Sequence, residues 1–306
     1  MKTIMLSGKA FGGKTVVALG KFDGIHTGHA RLLECAVSFA AQKEALGIVY
    51  IMEPRDGARL NATCEKSDII RSFGIDALCI EPLTDEFMSM TPETFVADIL
   101  KDKLNACHVV VGYNFRFGKN RSGDTGILKK LCADHGISLS VIDCVYAQSE
   151  GKSIAVSSSE IRHLASLGKV AQIIPLLGRS FSVSGEVMQG KKLGRTIDFP
   201  TANIYRRREE FPLKHGVYMT EVLVDGEVFG AVTNVGINPT VEHTDDIVKI
   251  ESHIPDFDKD LYGKEITVRF LEYIREEKKF SSIDELKAQI SRDKEYLTKQ
   301  QAGDIN

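Results

Sequence analysis

Short β-branched runs alternate with amphipathic helical patterns across residues 15–178, and that rhythm leaves little besides a parallel sheet covered by helices. TVVALG leads into HARLLECAVSFAAQKEALG, in which Leu32, Leu33, Ala36, Val37 and Ala40 share one helical face and Gly47 is the expected stop. IVYIME, IDALCIEP, HVVVGY and ISLSVID read as further strands, with SDIIRSFG, TPETFVADILKDKL and TGILKKLCADHG as the helices between them. Thr91 is the expected N-cap of the second of these, with Pro92 at its first position. A doubly wound sheet of this kind binds ligands beyond the carboxyl ends of its strands, so the loops after TVVALG and HVVVGY are where a site belongs.

After Gly178 the helical period disappears. SFSVSGEVMQG, TANIYR, VYMTEVLV, EVFGAVTNVG, IVKIESHI and EITVRFLEYIRE are strand-like, and Asp225-Gly226 is a two-residue hairpin signal. A small antiparallel β-barrel is expected, closed by a C-terminal helix that Ser282 and Glu285 open as a capping box and that Ile283, Leu286, Ile290 and Leu297 dock. The expected architecture is therefore α/β, with domains at 1–178 and 179–306, each of the two large enough for its own core.

Composition removes several classes. An apolar content of 43% and a charged content of 26% belong to a globular chain, and a formal charge of −3 supplies no basic face for nucleic acid. The run Arg206-Arg207-Arg208 is followed by Glu209-Glu210 and is read as a solvated loop. Six cysteines without a C-x-x-C pair fit reduced, buried thiols. Neither a signal segment nor an apolar run of about 18 residues is present, so a soluble cytoplasmic protein with no membrane partner is expected. Oligomeric state stays open, a homo-oligomer included.

Two phosphate-binding patterns overlap in GKAFGGKTVVALGKFDGIHTGH. Gly8 to Thr15 satisfies G-x-x-x-x-G-K-[ST], but a β-branched run follows at once where a P-loop needs a helix. That match is read instead as a Gly-rich hairpin joining MKTIMLS to TVVALG. His26-Thr27-Gly28-His29 has the missing context: a strand, the turn KFDG, then a helix entered at about His29. Two imidazoles at a helix start can stabilise phosphate charge, and two surface histidines beside a capping glycine would spell the same pattern.

The segment GKFDGIHTGH resembles the nucleotidyltransferase motif of the bacterial bifunctional riboflavin kinase/FAD synthetases. The resemblance continues in VVVGYNFRFGKNRSGD, VSSSEIR, GKKLGRTIDFPTANI, HGVYMTEV, TNVGINPT and IESHIPDFDKDLYGKEITVRF, in the same order along nearly the whole chain. For the first half it implies adenylyl transfer from ATP to FMN, giving FAD and pyrophosphate. His26 and His29 would stabilise the phosphates, and Gly20, Phe22, Asp23 and Gly28 would shape the turn. Asn114, Arg116 and Arg121 are implied on the flavin-phosphate side, and Ser157, Ser158, Ser159 and Arg162 on the ATP phosphates. Without the family, Ser157 with Glu160 is a capping box, a role compatible with binding.

For the second half the resemblance implies riboflavin kinase, with ATP as co-substrate. Thr201 and Asn203 of FPTAN would hold Mg2+ and nucleotide, and Glu251 of IESHIPD would be the general base. Gly190, Gly194 and Arg195 would form a flap over the phosphates, and Arg275 would border the flavin. The partners implied are riboflavin, FMN, FAD and ATP, with no nucleic acid. The chain departs from the family pattern at EPRD, where Arg55 and Asp56 stand in place of the usual P-H-P, and at Asp198, which replaces a glycine; Ser159 stands for the usual threonine and keeps its hydroxyl. The first departure keeps open a kinase with an impaired adenylyltransferase half. A flavin-binding regulator and another H-x-G-H nucleotidyltransferase are the remaining alternatives.

Overall fold

The structure is a computed structural model that describes residues 2–4, 11–53, 59–60, 63–188, 201–237, 247–278, 285, 288–289 and 292–293. The chain divides into two compact units, Met1–Gly57 with Ala62–Ser158 and Ala58–Asn61 with Ser159–Asn306.

The first unit begins with β1 (Lys2–Ile4), β2 (Thr15–Gly20), α1 (Thr27–Gln42), β3 (Leu46–Glu53), α2 (Thr63–Ser72) and β4 (Ala77–Pro82). It continues with the short helices α3 (Asp85–Ser89) and α4 (Pro92–Thr94), the latter running on as a π-helical stretch over Phe95–Lys103. Then come β5 (Ala106–Gly112), α5 (Thr125–Asp134), β6 (Ser138–Ile142) and a hairpin of β7 (Tyr146–Ser149) and β8 (Lys152–Ala155). The main sheet runs β1-β4-β3-β2-β5-β6, every pair parallel. Both faces are covered, which is why its central strands read as unbroken apolar runs. Val17, Leu19, Ile48 and Tyr50 face the π-helical stretch and its Phe95, Ile99 and Leu100. Val16, Ala18, Val49 and Ile51 face α1 through Leu32, Leu33, Ala36 and Ala40. Burying a side chain as fully as Leu33 contributes about 1.5–3 kcal/mol.

Two local expectations need correction. MKTIMLS does not form a hairpin with TVVALG: β1 pairs in parallel with β4, and β4 and β3 separate it from β2. At the sheet edge Lys2–Ile4 satisfy their backbone groups against Ala77–Cys79 of β4 instead of against the neighbouring strand in sequence. Gly47 does not end α1 either. Glu44 takes the left-handed conformation at φ 49°, and Gly47 lies inside β3, where its N–H donates to Asp76 Oδ2 at 2.8 Å. Thr91 caps α4 as expected, accepting from Thr94 N at 3.2 Å.

His108 is buried in β5, stacked on Phe39 with ring centroids 4.0 Å apart, and its Nε2 lies 3.0 Å from Ser140 Oγ. Burial first, and the Lys43 charge second, hold its pKa below the ordinary 6.5. The unfolded chain therefore binds a proton that the folded chain resists. The contribution is fully present above about pH 6.5 and is lost as pH falls towards the lower folded value. We expect amide protection of β5 to weaken as pH falls from about 7.5 to about 5.5, and His108→Asn to flatten that slope. An unchanged slope in the variant would count against this assignment.

The second unit contains α6 (Ser158–Ser166) from Ser159 onward, and α7 (Val170–Leu177), which ends on Gly178 at φ 71°. The strands β9 (Phe181–Glu186), β10 (Thr201–Arg207), β11 (Gly216–Val224), β12 (Glu227–Ile237), β13 (Ile247–His253) and β14 (Glu265–Arg275) follow. They form an antiparallel sheet ordered β10-β13-β12-β11-β14-β9, and a bridge from Met188 to Asn203 brings its two ends together, nearly closing the barrel. Asp225 and Gly226 sit at φ 51° and 84°, the two positive values that a type I′ hairpin needs. Among the described residues the interior is mostly apolar, and a ladder of hydroxyls runs through it: Thr220 to Thr233 at 2.7 Å and Thr233 to Ser252 at 2.8 Å. Arg206 and Arg207 end β10 rather than lying in a loop, and Arg207 meets Glu209 at 3.8 Å on an exposed surface. Ser282 and the docking residues Ile283, Leu286, Ile290 and Leu297 lie outside the described residues, whereas Glu285 is helical.

The five cysteines whose side chains are described are free, and burial pushes the Cys79 and Cys132 thiols up to about 12. Among the described residues no helix is long and apolar enough to cross a membrane.

Candidate active sites

In the first unit, successive connections leave β2 toward β3 and β4 on one side and β5 toward β6 on the other, so the strand order reverses between β2 and β5. In doubly wound sheets the loops leaving strands at such a reversal are where a ligand crevice forms, at the carboxyl end of the sheet. Gly20 ends β2, and the turn beyond it is strained. Phe22, Gly24 and Ile25 take φ of 48°, 83° and 39°, although Phe22 and Ile25 are fully buried. A β-branched residue at positive φ is rare, and such strain concentrates at functional sites.

The turn delivers His26 to the N-cap of α1, two residues nearer the helix start than expected. Its Nδ1 accepts from His29 N at 3.2 Å, so in the neutral ring the proton sits on Nε2. Its ring stacks on that of His29 at 3.7 Å and 15°. Phe22 also meets the His29 ring, tilted, with centroids 5.0 Å apart. Gly28 makes room for this arrangement, because a Cβ there would lie 3.1 Å from the His26 ring. No acidic residue stands in the first turn of α1, and the partial positive charge of the helix start is left for an anion. Asp23 contributes its backbone: its carbonyl accepts from Ser158 Oγ at 2.7 Å, tying the turn to the start of α6.

The P-loop pattern has no such setting. Thr15 opens a strand, and its buried hydroxyl donates to Leu104 O at 2.6 Å.

Asn114, Arg116 and Arg121 all lie on the loop after β5, as expected. Arg116 pairs with Asp124 at 3.1 Å, and Asp124 also caps α5 by accepting from Ile127 N at 2.9 Å. That N–H first, and Arg116 next, hold the Asp124 carboxyl below the ordinary carboxylate range. Arg121 is exposed at φ 58°. Ser157 and Ser158 belong to the first unit, whereas Ser159 and Arg162, further along α6, belong to the second.

In the second unit, register places Asn203 of β10, Glu251 of β13 and Asn234 of β12 directly opposite one another in one row. Thr201 Oγ1 donates to Glu251 Oε1 at 2.8 Å. Its lone pairs then remain available to a cation, and so does the buried Asn203 Oδ1, which has no hydrogen-bond partner among the described residues. Two neutral oxygens of this kind suit a hard divalent ion that keeps most of its waters. No group of three or more His, Cys, Asp or Glu among the described residues offers a competing cage.

Lys249 Nζ lies 2.8 Å from the other Glu251 oxygen, and Asn234 Nδ2 donates to Glu277 Oε1 at 3.0 Å. These neighbours of Glu251 were not singled out from the sequence. Alternation in VKIESH places Lys249 on the Glu251 face, but Asn234 and Glu277 become neighbours only through strand register. Arg275 makes a two-pronged contact with the buried Asp293, at 3.2 Å from Nε and 2.7 Å from Nη2. Gly190, Gly194, Arg195 and Asp198 lie outside the described residues, as do Arg55 and Asp56.

Comparison with known proteins bears on both halves. The FAD synthetase family model matches residues 9–160, and the riboflavin kinase family model matches residues 177–300. The bifunctional riboflavin kinase/FMN adenylyltransferase of Escherichia coli strain K12 is 36% identical over 288 residues, 91% of this chain and 90% of that protein. The chain belongs to the bifunctional riboflavin kinase/FMN adenylyltransferase family. Another protein of that name, from Buchnera aphidicola subsp. Schizaphis graminum, is 32% identical over 301 residues, 95% of each chain. Among solved structures, one described as a macrolide-efflux protein from Streptococcus pneumoniae shares the fold of this chain. Its TM-score is 0.82 at 27% identity, covering 97% of this chain and 98% of that one.

Proposed function

We propose that this chain makes FMN from riboflavin and then FAD from FMN, each step using ATP at its own site, with the functional boundary at Gly178, next to residue 177 where the kinase family model begins. The observation that carries the reading is the contact of Thr201 Oγ1 with Glu251 Oε1 at 2.8 Å beside the buried Asn203 oxygen, in a chain that also seats His26 and His29 at a helix start.

In the kinase half Glu251 takes the proton of the riboflavin 5′-hydroxyl as its oxygen bonds to the γ-phosphorus and the β–γ bridging bond breaks, releasing ADP. Thr201 holds the Glu251 carboxylate, and with Asn203 it would hold Mg2+. The ion, when bound, neutralises charge on the phosphates. In the adenylyltransferase half a phosphate oxygen of FMN attacks the α-phosphorus of ATP, and pyrophosphate leaves as the α–β bridging bond breaks. His26, presenting Nε2–H, and His29 stabilise the charge that builds on those phosphates, and the start of α1 adds its dipole. Asn114, Arg116 and Arg121 hold the FMN phosphate, with Arg116 exchanging Asp124 for it. Ser157 takes the ATP phosphates, while Ser158 steadies the turn through Asp23. Gly190, Gly194 and Arg195 cover the kinase phosphates, and Arg275 borders the flavin by anchoring Asp293. The reading includes a cytoplasmic setting and needs neither nucleic acid nor membrane.

Riboflavin incubated with ATP and Mg2+ tests it, with products resolved by chromatography over time. FMN appearing first and FAD following at its expense is the expected course. FMN alone would remove the adenylyltransferase half of the proposal, and flavin retained without turnover would remove both halves.

A further inference from the structure

We propose that Lys249 is a positioning residue of the kinase half, holding the Glu251 carboxylate in the plane from which it receives the substrate proton. This rests on the reading of Glu251 as the general base.

Lys249 and Glu251 are two residues apart on β13 and so project from the same face of the sheet. Lys249 Nζ reaches Glu251 Oε2 at 2.8 Å while Thr201 Oγ1 reaches Oε1 at 2.8 Å. Both side chains of the ion pair are mostly shielded, at 25% and 30% exposure, so water weakens the contact less than it would on an open surface. A glutamate held through one oxygen still turns about its last torsion. Donors on both oxygens fix the carboxylate plane, and an ionised carboxylate has about four lone-pair sites, so two are left for the incoming proton. Misplacing a reacting group by even a fraction of an ångström costs rate, which gives the second donor a catalytic consequence.

The charge around the site also asks for a cation at this position. Lys249 stands opposite Gly236 of β12, and the space where a side chain at 236 would stand is taken by the Glu277 carboxylate, itself held by Asn234. Two carboxylates thus neighbour the row that must admit a triphosphate. Lys249 offsets that repulsion without leaving Glu251: after proton transfer the glutamate is neutral and the ammonium keeps its own proton, so the step stays balanced.

The test measures kcat and KM for riboflavin phosphorylation in the full chain for Lys249→Met, Lys249→Arg, Glu251→Gln and the Lys249→Met/Glu251→Gln double variant. Lys249→Met is expected to lower kcat about tenfold with KM changed by less than about twofold, the loss of one charge-assisted hydrogen bond that matters in the transition state. Lys249→Arg is expected to recover kcat to within about threefold, because a guanidinium still reaches the carboxylate. The double variant should be no slower than Glu251→Gln alone, since a residue acting through Glu251 has nothing left to position. The rate of FAD formation from supplied FMN serves as the folding control and should not change. A Lys249→Met protein with lowered thermal stability but unchanged kcat, a rise in KM alone, or additive losses in the double variant would each overturn the assignment. If Glu251→Gln keeps full kinase activity, the base reading falls and Lys249 falls with it. If Glu251→Gln abolishes phosphorylation while Lys249→Met leaves kcat intact, only the positioning role is lost.

Discussion

Glu251→Gln yields a protein that still converts supplied FMN to FAD at the normal rate but phosphorylates riboflavin about 10²–10⁴-fold more slowly, the range a positioned general base contributes. The amide keeps the shape of the side chain and can still accept from Thr201 Oγ1 as Glu251 Oε1 does at 2.8 Å, so the strand row should survive. What it loses is the capacity to take a proton. It also loses the charge that faces Lys249 at 2.8 Å, and one Lys249 donor then meets a weaker acceptor. The decisive measurement is the pair of activities on one folded sample. Equal losses in both would mean that the substitution acts through the whole chain rather than through the barrel.

The complementary change is expected from His29→Ala. FAD formation should fall about 10²–10³-fold, as when one preorganised donor to a developing phosphate charge is removed, while FMN formation is unaffected. The ring of His29 stacks on His26 at 3.7 Å and touches Phe22, so its removal also frees the His26 imidazole to move off its cap. The backbone N–H of residue 29 remains to donate to His26 Nδ1, and the helix itself should persist. Rates of pyrophosphate release with saturating FMN, compared with riboflavin phosphorylation in the same preparation, check the result. A variant with unimpaired FAD synthesis would remove the imidazole pair from the mechanism.

Much of the architecture could be read from residue patterns because strand and helix periods are local. TVVALG and HVVVGY announce buried parallel strands, Thr91-Pro92 announces a helix start, and Asp225-Gly226 announces a hairpin. β1 escaped because its partner, β4, is chosen by the sheet edge and not by the neighbouring sequence. The start of α1 was placed late because histidine is an uncommon cap, and only the Nδ1 contact with His29 N reveals it. The family motifs named His26, Thr201 and Glu251, but not Lys249, Asn234 or Glu277. Lys249 follows from alternation along β13 once Glu251 is named, whereas Asn234 depends on which residue of β12 stands opposite which residue of β13, a pairing between positions 234 and 251 that no local period encodes, and Glu277 enters only through Asn234. The reason for Gly28 was likewise hidden: the motif implies a glycine that shapes the turn, and the structure shows it making room for the His26 imidazole.

The bond from Ser158 to the carbonyl of Asp23 joins residues 135 positions apart, at the last position of the first compact unit. Whoever severs the two halves to obtain a stand-alone adenylyltransferase must therefore cut downstream of that serine. A shorter fragment would retain every imidazole and every strand of the nucleotide crevice, yet it would release the buckle that keeps its contorted turn fastened.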